Sequence, residues 1–304
     1  MRARAARRAR PHEILAAGYF ALTGLFVLAF GRPLAEWWPT LLLHAALVPA
    51  FLRLLPLVPD RGWPAVARDW LPILGITLVY WEVARLNDLF TAGYHDRLIL
   101  RAEAALFGTQ PSVVLREALP WKPLSEYLHF GYFSYYALLP ALAGTLYLQG
   151  RREAYRYALT VVLAVFFACY LVFIAYPVAG PWYVFQRPAP DQVGWLFPQL
   201  EHAVLSAAAS EGAAFPSSHV AAALALWLLS WRLSPGTFRV FTFIVPALIV
   251  GTVYGGFHYA ADALAGVLVG LAGYLTGPRL HRALGGDPEQ AFADRPAGTR
   301  SRPV

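Results

Sequence analysis

The chain has 304 residues, of which 58% are hydrophobic and only 14% charged. Soluble domains carry about 25% charged residues, so this composition excludes an ordinary water-soluble globule and indicates a membrane protein. The net charge of +7 does not describe a nucleic-acid surface, because Arg2, Arg4, Arg7, Arg8 and Arg10 crowd into the start of the chain, directly before an apolar run. A basic flank in that place anchors a membrane helix.

Crossing the hydrocarbon core takes roughly 20 apolar residues. Segments of that character run over 14–30, 39–58, 69–86, 127–148, 155–176, 217–232, 238–255 and 258–277. They predict an all-α polytopic membrane helical bundle of about eight spans. The first is read as a retained span, not a signal peptide, since Leu34-Ala35-Glu36-Trp37-Trp38 offers no small-x-small cleavage site. Pro49, Pro56 and Pro72 interrupt the second and third. Glu82 and Arg85, at i, i+3 near the end of the third, are expected to pair.

Between the third and fourth spans, residues 94–119 show a helical apolar period (Leu98, Leu100, Ala104, Leu106, then Val113, Val114, Leu115). Short helices lying at the interface are expected there. Residues 177–216 form a long loop rich in proline and aromatic residues, and a loop of that length is expected to be functional. Its Trp182 and Tyr183 suit an interface or substrate loop, with interface anchoring preferred, as for Trp37, Trp38 and Trp63. Residues 278–304, with Gly285, Gly286, Pro288, Pro296 and Pro303, are expected to be a disordered tail. A lone Cys169 within an apolar run allows no intrachain disulfide and no cysteine-based metal site. His44, His95, His129 and His202 have no partner motif and read as structural.

The loops also predict an orientation. With the amino terminus in the cytoplasm, the cytoplasmic segments 1–13, 59–68, 149–154, 233–237 and 278–304 or their flanks hold Arg61, Arg68, Arg151, Arg152, Arg156, Arg232, Arg239, Arg279 and Arg282. The opposite stretch 31–38 has only Arg32, opposed by Glu36, and 87–126 mixes both signs. The basic excess falls on one side, so both termini are expected in the cytoplasm of a multi-pass cell-membrane protein, with Ser217, His219 and His258 on the extracytoplasmic face.

Ionisable groups at the mouths of membrane helices are costly and are functional candidates by default. Phe215-Pro216-Ser217-Ser218-His219 opens one span and His258-Tyr259-Ala260-Ala261-Asp262 opens the last. Pro216 suits the first helical position, and the free N–H groups of the following turn suit an anion. Ser217 and Ser218 add hydroxyl donors, and His219 a proton donor. His258 and Asp262 at i, i+4 are expected on one helical face, the carboxylate fixing the imidazole tautomer. The far nitrogen of His258 is then a nucleophile toward phosphorus, and Arg187 in the long loop can neutralise the phosphate oxygens. Gly251, Gly255, Gly266, Gly270 and Gly273 suit close helix packing.

These residues resemble a known family. Pro216-Ser217-Ser218-His219 is similar to the P-S-x-H motif, and His258-x-x-x-Asp262 to the H-x-x-x-D motif, of the type 2 phosphatidic acid phosphatase superfamily. Ala214-Phe215-Pro216, the Gly180-Pro181-Trp182-Tyr183 loop, Leu106-Phe107-Gly108 and Gly131-Tyr132-Phe133-Ser134-Tyr135-Tyr136 resemble its branch that includes inositol phosphorylceramide synthase. The resemblance covers roughly residues 90–277. It implies a six-helix core over 87–277 with a catalytic loop at 177–216, behind a basic segment 1–13 and three accessory helices in 14–86. It departs from the common pattern where Gly180 stands for a lysine and Gly251-Thr252 for Ser-Arg, while Arg187-Pro188 fits the end of the first motif.

The resemblance implies a phosphoryl-transfer enzyme acting on a lipid phosphate headgroup through a phosphohistidine, with His258 as nucleophile, Asp262 orienting it and His219 as acid and base. It implies no cofactor and no metal. Water as acceptor gives a phosphatase and a polyol such as inositol gives a phosphotransferase; the residues leave both open. Three other readings stay open: an intramembrane serine hydrolase with a Ser217–His258 dyad, a two-histidine–carboxylate metal site, and a non-enzymatic lipid transporter.

Overall fold

The computed structural model describes residues 8–186 and 188–293. Among them the regular structure is all helical, with one isolated parallel β-bridge between Val178 and Ala213. The protein is an all-α polytopic helical bundle, and five helical segments are long and apolar enough to cross a membrane.

The first three helices form the layer expected to be accessory. Helix α1 (Pro11–Phe30) begins at a proline, whose missing N–H costs nothing at a helix start. Helix α2 (Trp37–Pro49) runs on through a π turn, Ala50–Leu54, and a 3-10 turn, Leu55–Leu57. The regular hydrogen-bond pattern gives way where Pro49 removes a donor, so the proline distorts the span without ending it. Helix α3 (Gly62–Leu86) carries Pro72 inside it and charged residues near both ends.

Helices α4 (Asp96–Phe107) and α5 (Pro111–Ala118) follow, as expected for 94–119. The span expected over 127–148 is two helices, α6 (Lys122–Phe133) and α7 (Tyr135–Leu148), parted at Ser134. The Ser134 hydroxyl donates to the Phe130 carbonyl at 2.7 Å, a side-chain bond that competes with the helix pattern. Helix α8 (Arg152–Ala175) is apolar all round and 72% of its hydrophobic window is buried, which makes it the central post of the bundle.

The long loop is not irregular throughout. It contains two single turns, α9 (Pro181–Val184) and α10 (Pro190–Val193), and a 12-residue amphipathic helix, α11 (Phe197–Ala208), that packs on α6. Helices α12 (Ser218–Leu233), α13 (Pro235–Tyr254) and α14 (Ala260–Ala283) complete the core. The last span continues to Ala283, past the expected start of the tail, and α15 (Pro288–Ala293) packs back on α8. Residues 294–304 of the expected tail lie outside the described residues.

Glycines set the spacing between α12 and α14. A Cβ on Gly266 would stand 2.5 Å from the Ser217 carbonyl oxygen, and one on Gly270 2.5 Å from that of Ala221. Only hydrogen fits there, so the two helices touch backbone to backbone at their site-bearing ends.

At the other end of the bundle a buried ion cluster fastens the accessory layer to the core. Arg68 on α3 donates Nε and Nη2 to the two carboxylate oxygens of Glu13 on α1, at 2.7 and 2.8 Å. Arg10 pairs with Asp69. Asp69 also accepts from the Tyr147 hydroxyl at 3.0 Å, and its carbonyl from that of Tyr155 at 2.6 Å. Bidentate, fully hydrogen-bonded geometry is what lets such buried charges persist.

The expected Glu82–Arg85 pair does not form. Glu82 points into the accessory layer, where its Oε1 meets His44 Nε2 at 2.8 Å, and Thr23 Oγ1 lies 3.1 Å from the other ring nitrogen. Arg85 points outward to Glu36 at 3.4 Å. His44 therefore joins α1, α2 and α3.

Candidate active site

Both motif segments sit at helix starts, but each helix begins two residues later than expected, at Ser218 and at Ala260. Helix α12 begins at Ser218 with Ser217 as its N-cap, the Ser217 Oγ accepting from Val220 N at 3.3 Å. Pro216 therefore precedes the cap instead of opening the helix, and its peptide bond to Phe215 is cis. The first-turn N–H groups of Ser218 and His219 have no acceptor within the helix. Ser217 and Ser218 are buried. Helix α14 begins at Ala260, so His258 lies in the preceding segment, off the helical face. Asp262 reaches back to accept Tyr259 N at 2.8 Å, which is how a third-position acid caps a helix.

The two histidines nevertheless converge. His258 Nε2 lies 3.4 Å from His219 Nδ1. His258 Nδ1 lies 3.0 Å from the Ala214 carbonyl oxygen and 3.5 Å from Asp262 Oδ2. A carbonyl oxygen only accepts, so Nδ1 carries the proton and Nε2 of the neutral ring presents a lone pair toward His219. The tautomer is thus held first by a main-chain carbonyl, with the Asp262 charge behind it. Sequence reasoning assigned that task to Asp262 alone.

Aromatic rings enclose His219. Its ring centroid is 4.2 Å from that of Tyr135 and 5.0 Å from that of Tyr132, whose hydroxyl is 3.5 Å from His219 Nε2. Tyr132 in turn stacks on Phe257 at 4.4 Å. Trp182 packs against Phe257 at 5.9 Å, and with Tyr183 it lines the cavity that contains His219 and His258. The loop tryptophan is a wall of this cavity. Arg187 lies outside the described residues.

Two carboxylates hold this arrangement and were missed. Asp96, at the start of α4, accepts from Ala179 N at 2.9 Å, from Gly180 N at 2.8 Å and from the Tyr259 hydroxyl at 2.9 Å. It ties the base of the long loop to the residue after His258. Glu103, two turns along the same helix, accepts from Ala261 N at 3.0 Å and so caps α14 from outside. Their spacing of seven puts both acids on one face of α4, the signal that could have found them.

The two departures from the family pattern have physical reasons. Gly180 has φ +94°, and a Cβ there would stand 2.9 Å from the Ala214 Cβ, so a lysine cannot occupy this backbone. Thr252 is buried, and its carbonyl accepts from Phe257 N and His258 N, both at 3.0 Å, fixing the approach to the histidine. A described cation does stand close by. Arg116 on α5 lines a second cavity with His129 and His202, which shares Trp182 and Phe257 as walls with the site cavity.

Glu201 on α11 is 2% exposed, 3.8 Å from His129 Nε2, and burial pushes its carboxyl well above the usual carboxylate range. Among the described residues, His219, His258 and Asp262 form no group able to hold a metal ion, and no hydrogen bond joins Ser217 to His258.

The family model of the PAP2 superfamily, the type 2 phosphatidic acid phosphatase group, matches residues 97–276. The chain belongs to the PAP2 superfamily. No curated protein and no solved structure matches it. The PAP2 match begins in α4 and ends in α14, so it contains the long loop, both motif histidines that follow it and Asp262, and leaves α1 to α3 outside. PAP2 membership together with the apolar spans fits a membrane enzyme of phosphatase type.

Proposed function

We propose that the protein transfers a phosphoryl group from a lipid phosphate headgroup through a phosphohistidine on His258. The observation that carries this is the 3.4 Å approach of His258 Nε2 and His219 Nδ1, with the opposite nitrogen of His258 backed by Ala214 and Asp262. The His258 Nε2 lone pair attacks phosphorus, forming an N–P bond as the P–O bond to the lipid breaks. In-line displacement puts the leaving oxygen opposite Nε2. His219 in its protonated form turns to that oxygen and gives it the proton. As His258 becomes positive, the Asp262 carboxylate 3.5 Å away stabilises it. An acceptor hydroxyl then surrenders its proton to His219 and attacks phosphorus, breaking the N–P bond and returning both rings to their first state.

Ser218 and the free first-turn N–H groups of α12 are the proposed phosphate contacts, joined by Arg187; Ser217 is engaged as the cap. Water as acceptor makes the protein a lipid phosphatase, and a polyol such as inositol, which would leave as its phosphate, makes it a lipid phosphotransferase. The basic loop excess supports an orientation with the termini in the cytoplasm and the site on the extracytoplasmic face of the cell membrane.

The test incubates purified protein with labelled phosphatidate, ceramide-type and polyprenyl phosphates, with and without myo-inositol, beside His258→Ala. Released phosphate identifies a phosphatase, and a new phosphorylated polyol or headgroup identifies a transferase. Full activity in His258→Ala would overturn the mechanism.

A further inference from the structure

An apolar cavity of about 580 Å³ runs from the site into the bundle between α3, α7, α8 and α12. At its upper end it meets Ser218 and His219, and Tyr80, Leu205, Ala209 and His219 wall both this cavity and the site cavity. The two spaces therefore join at the catalytic imidazole. Below that junction the walls are aliphatic and aromatic, Ile73 and Ile76 of α3 facing Leu139 of α7 and Leu226 of α12.

Beyond hydroxyls such as that of Thr77, the walls below His219 carry no charged group to recognise a headgroup. From Ser218 to Leu226 the groove descends eight residues of α12, about 12 Å at 1.5 Å per residue. One leaflet of a bilayer has a hydrocarbon depth of about 15 Å, half of the roughly 30 Å core. A groove that starts at a proton donor, is lined by hydrocarbon and runs the depth of one leaflet matches a lipid held by its phosphate end. Its outer lip, with Leu74, Leu78 and Trp81 exposed on α3, faces the side of the bundle.

Resting on the function proposed above, we propose that this groove binds one hydrocarbon chain of the lipid substrate and that α3, which lies outside the PAP2 match, is the wall that selects the chain. The accessory helices then have a task. At its far end the Arg68–Glu13 and Arg10–Asp69 pairs hold α3 against α1, and the Tyr147 and Tyr155 hydroxyls on Asp69 hold it against the core. Near the site, the Tyr80 hydroxyl accepts from Ser210 N at 3.3 Å, closing the junction beneath the loop. Tyr80 is a positioning residue here.

The experiment uses full-length protein in vesicles with a phosphatidate that carries a diazirine along its chain. Wild-type protein and His258→Ala are expected to be labelled on α3 and α12, with competition by long-chain lipid phosphates and none by inorganic phosphate. Thr77→Trp, which narrows the groove from α3, is expected to lower this labelling about ten-fold, the worth of shutting out about two methylenes. In active protein it should lower the ratio of long-chain to short-chain kcat/KM by the same factor. Leu25→Trp, on the outer face of α1, controls for a bulky ring placed elsewhere.

Labelling spread evenly over the outer faces of the bundle would overturn the proposal, as would labelling unmoved by Thr77→Trp. Equal labelling by a neutral lipid bearing the same chain would also overturn it, since the groove would then be a general bilayer-lipid site. Labelling confined to α3 and α12 without any phosphoryl transfer would leave the chain site standing and sink the enzymatic reading instead.

Discussion

The amide of Ser217 donates to the carbonyl oxygen of Asp262 at 2.9 Å, so the two motif segments are joined by main chain at the helix starts. Through this bond the position of His219 on α12 is referenced directly to the turn that carries His258. Side chains then need only small adjustments to bring the rings into contact.

The bond exists because Gly266 lets the helices approach. Gly266→Ala places a methyl 2.5 Å from the Ser217 carbonyl oxygen and 3.0 Å from the Val220 Cβ, and neither neighbour is a flexible chain end. Overpacking of this kind costs about 1–3 kcal/mol. The variant is expected to unfold at lower temperature in detergent and to lose activity out of proportion to that loss, as the rings part. Gly236→Ala, where an added Cβ meets nothing, is the control that should leave both measurements unchanged.

Asp96 is the second point of rigidity. Its carboxylate takes two backbone N–H groups and the Tyr259 hydroxyl, all buried. Asp96→Ala strands three donors, each costing about 1–3 kcal/mol when left unpaired, so a loss of several kcal/mol of stability is expected. Asp96→Asn keeps one acceptor and should fall between. Thermal unfolding of the three proteins in detergent reads the order; an alanine variant as stable as the parent would show that the loop base is held by something else.

Much of the fold was legible because a membrane helix advertises itself. The apolar runs that predicted eight spans each coincide with a helix or a helix pair, and α4 and α5 lie where the amphipathic period put them. Most of what stayed hidden was set by tertiary partners. Residues 197–208 do carry local signals for α11, a proline in the first turn and an amphipathic period, but they lie within a stretch whose prolines and aromatics read as loop. Nothing in the His258-x-x-x-Asp262 spacing reveals that the helix starts after His258, because that depends on Asp262 folding back on Tyr259 N. Glu82 had two partners at equal chemical merit, and His44 won by lying inside the layer. The site histidines were legible from their motifs; the carboxylates on α4 that support them carry no motif, only a shared face.

Asp262 does two things, and one substitution separates them. Asp262→Asn retains an oxygen for Tyr259 N, so the start of α14 should stand, with stability close to the parent. It removes the negative charge 3.5 Å from His258 Nδ1. If that charge steadies the imidazolium formed on attack, kcat falls on the order of 10²–10⁴-fold, the range for a lost proton-handling group. Steady-state kinetics on a lipid phosphate decide it, and unchanged kcat would reduce Asp262 to a helix cap.

Glu201 gives the pH test. Its carboxyl is buried beside His129, with Glu126 the other acid acting on it, and burial raises its pKa well above the usual range near 4.3. A raised carboxyl means that the folded protein binds this proton more tightly than the unfolded chain does. The resulting stabilisation is full below the ordinary glutamate value and is lost as pH rises through the raised one. Thermal stability is therefore expected to fall as pH is raised from acid toward neutrality, with protonated Glu201 favouring the fold. Glu201→Gln, neutral at every pH and close in shape, should flatten that slope and match the parent's acid-side stability near neutrality. Unfolding midpoints of both proteins across this range make the comparison, and parallel slopes would show that Glu201 is not the group responsible.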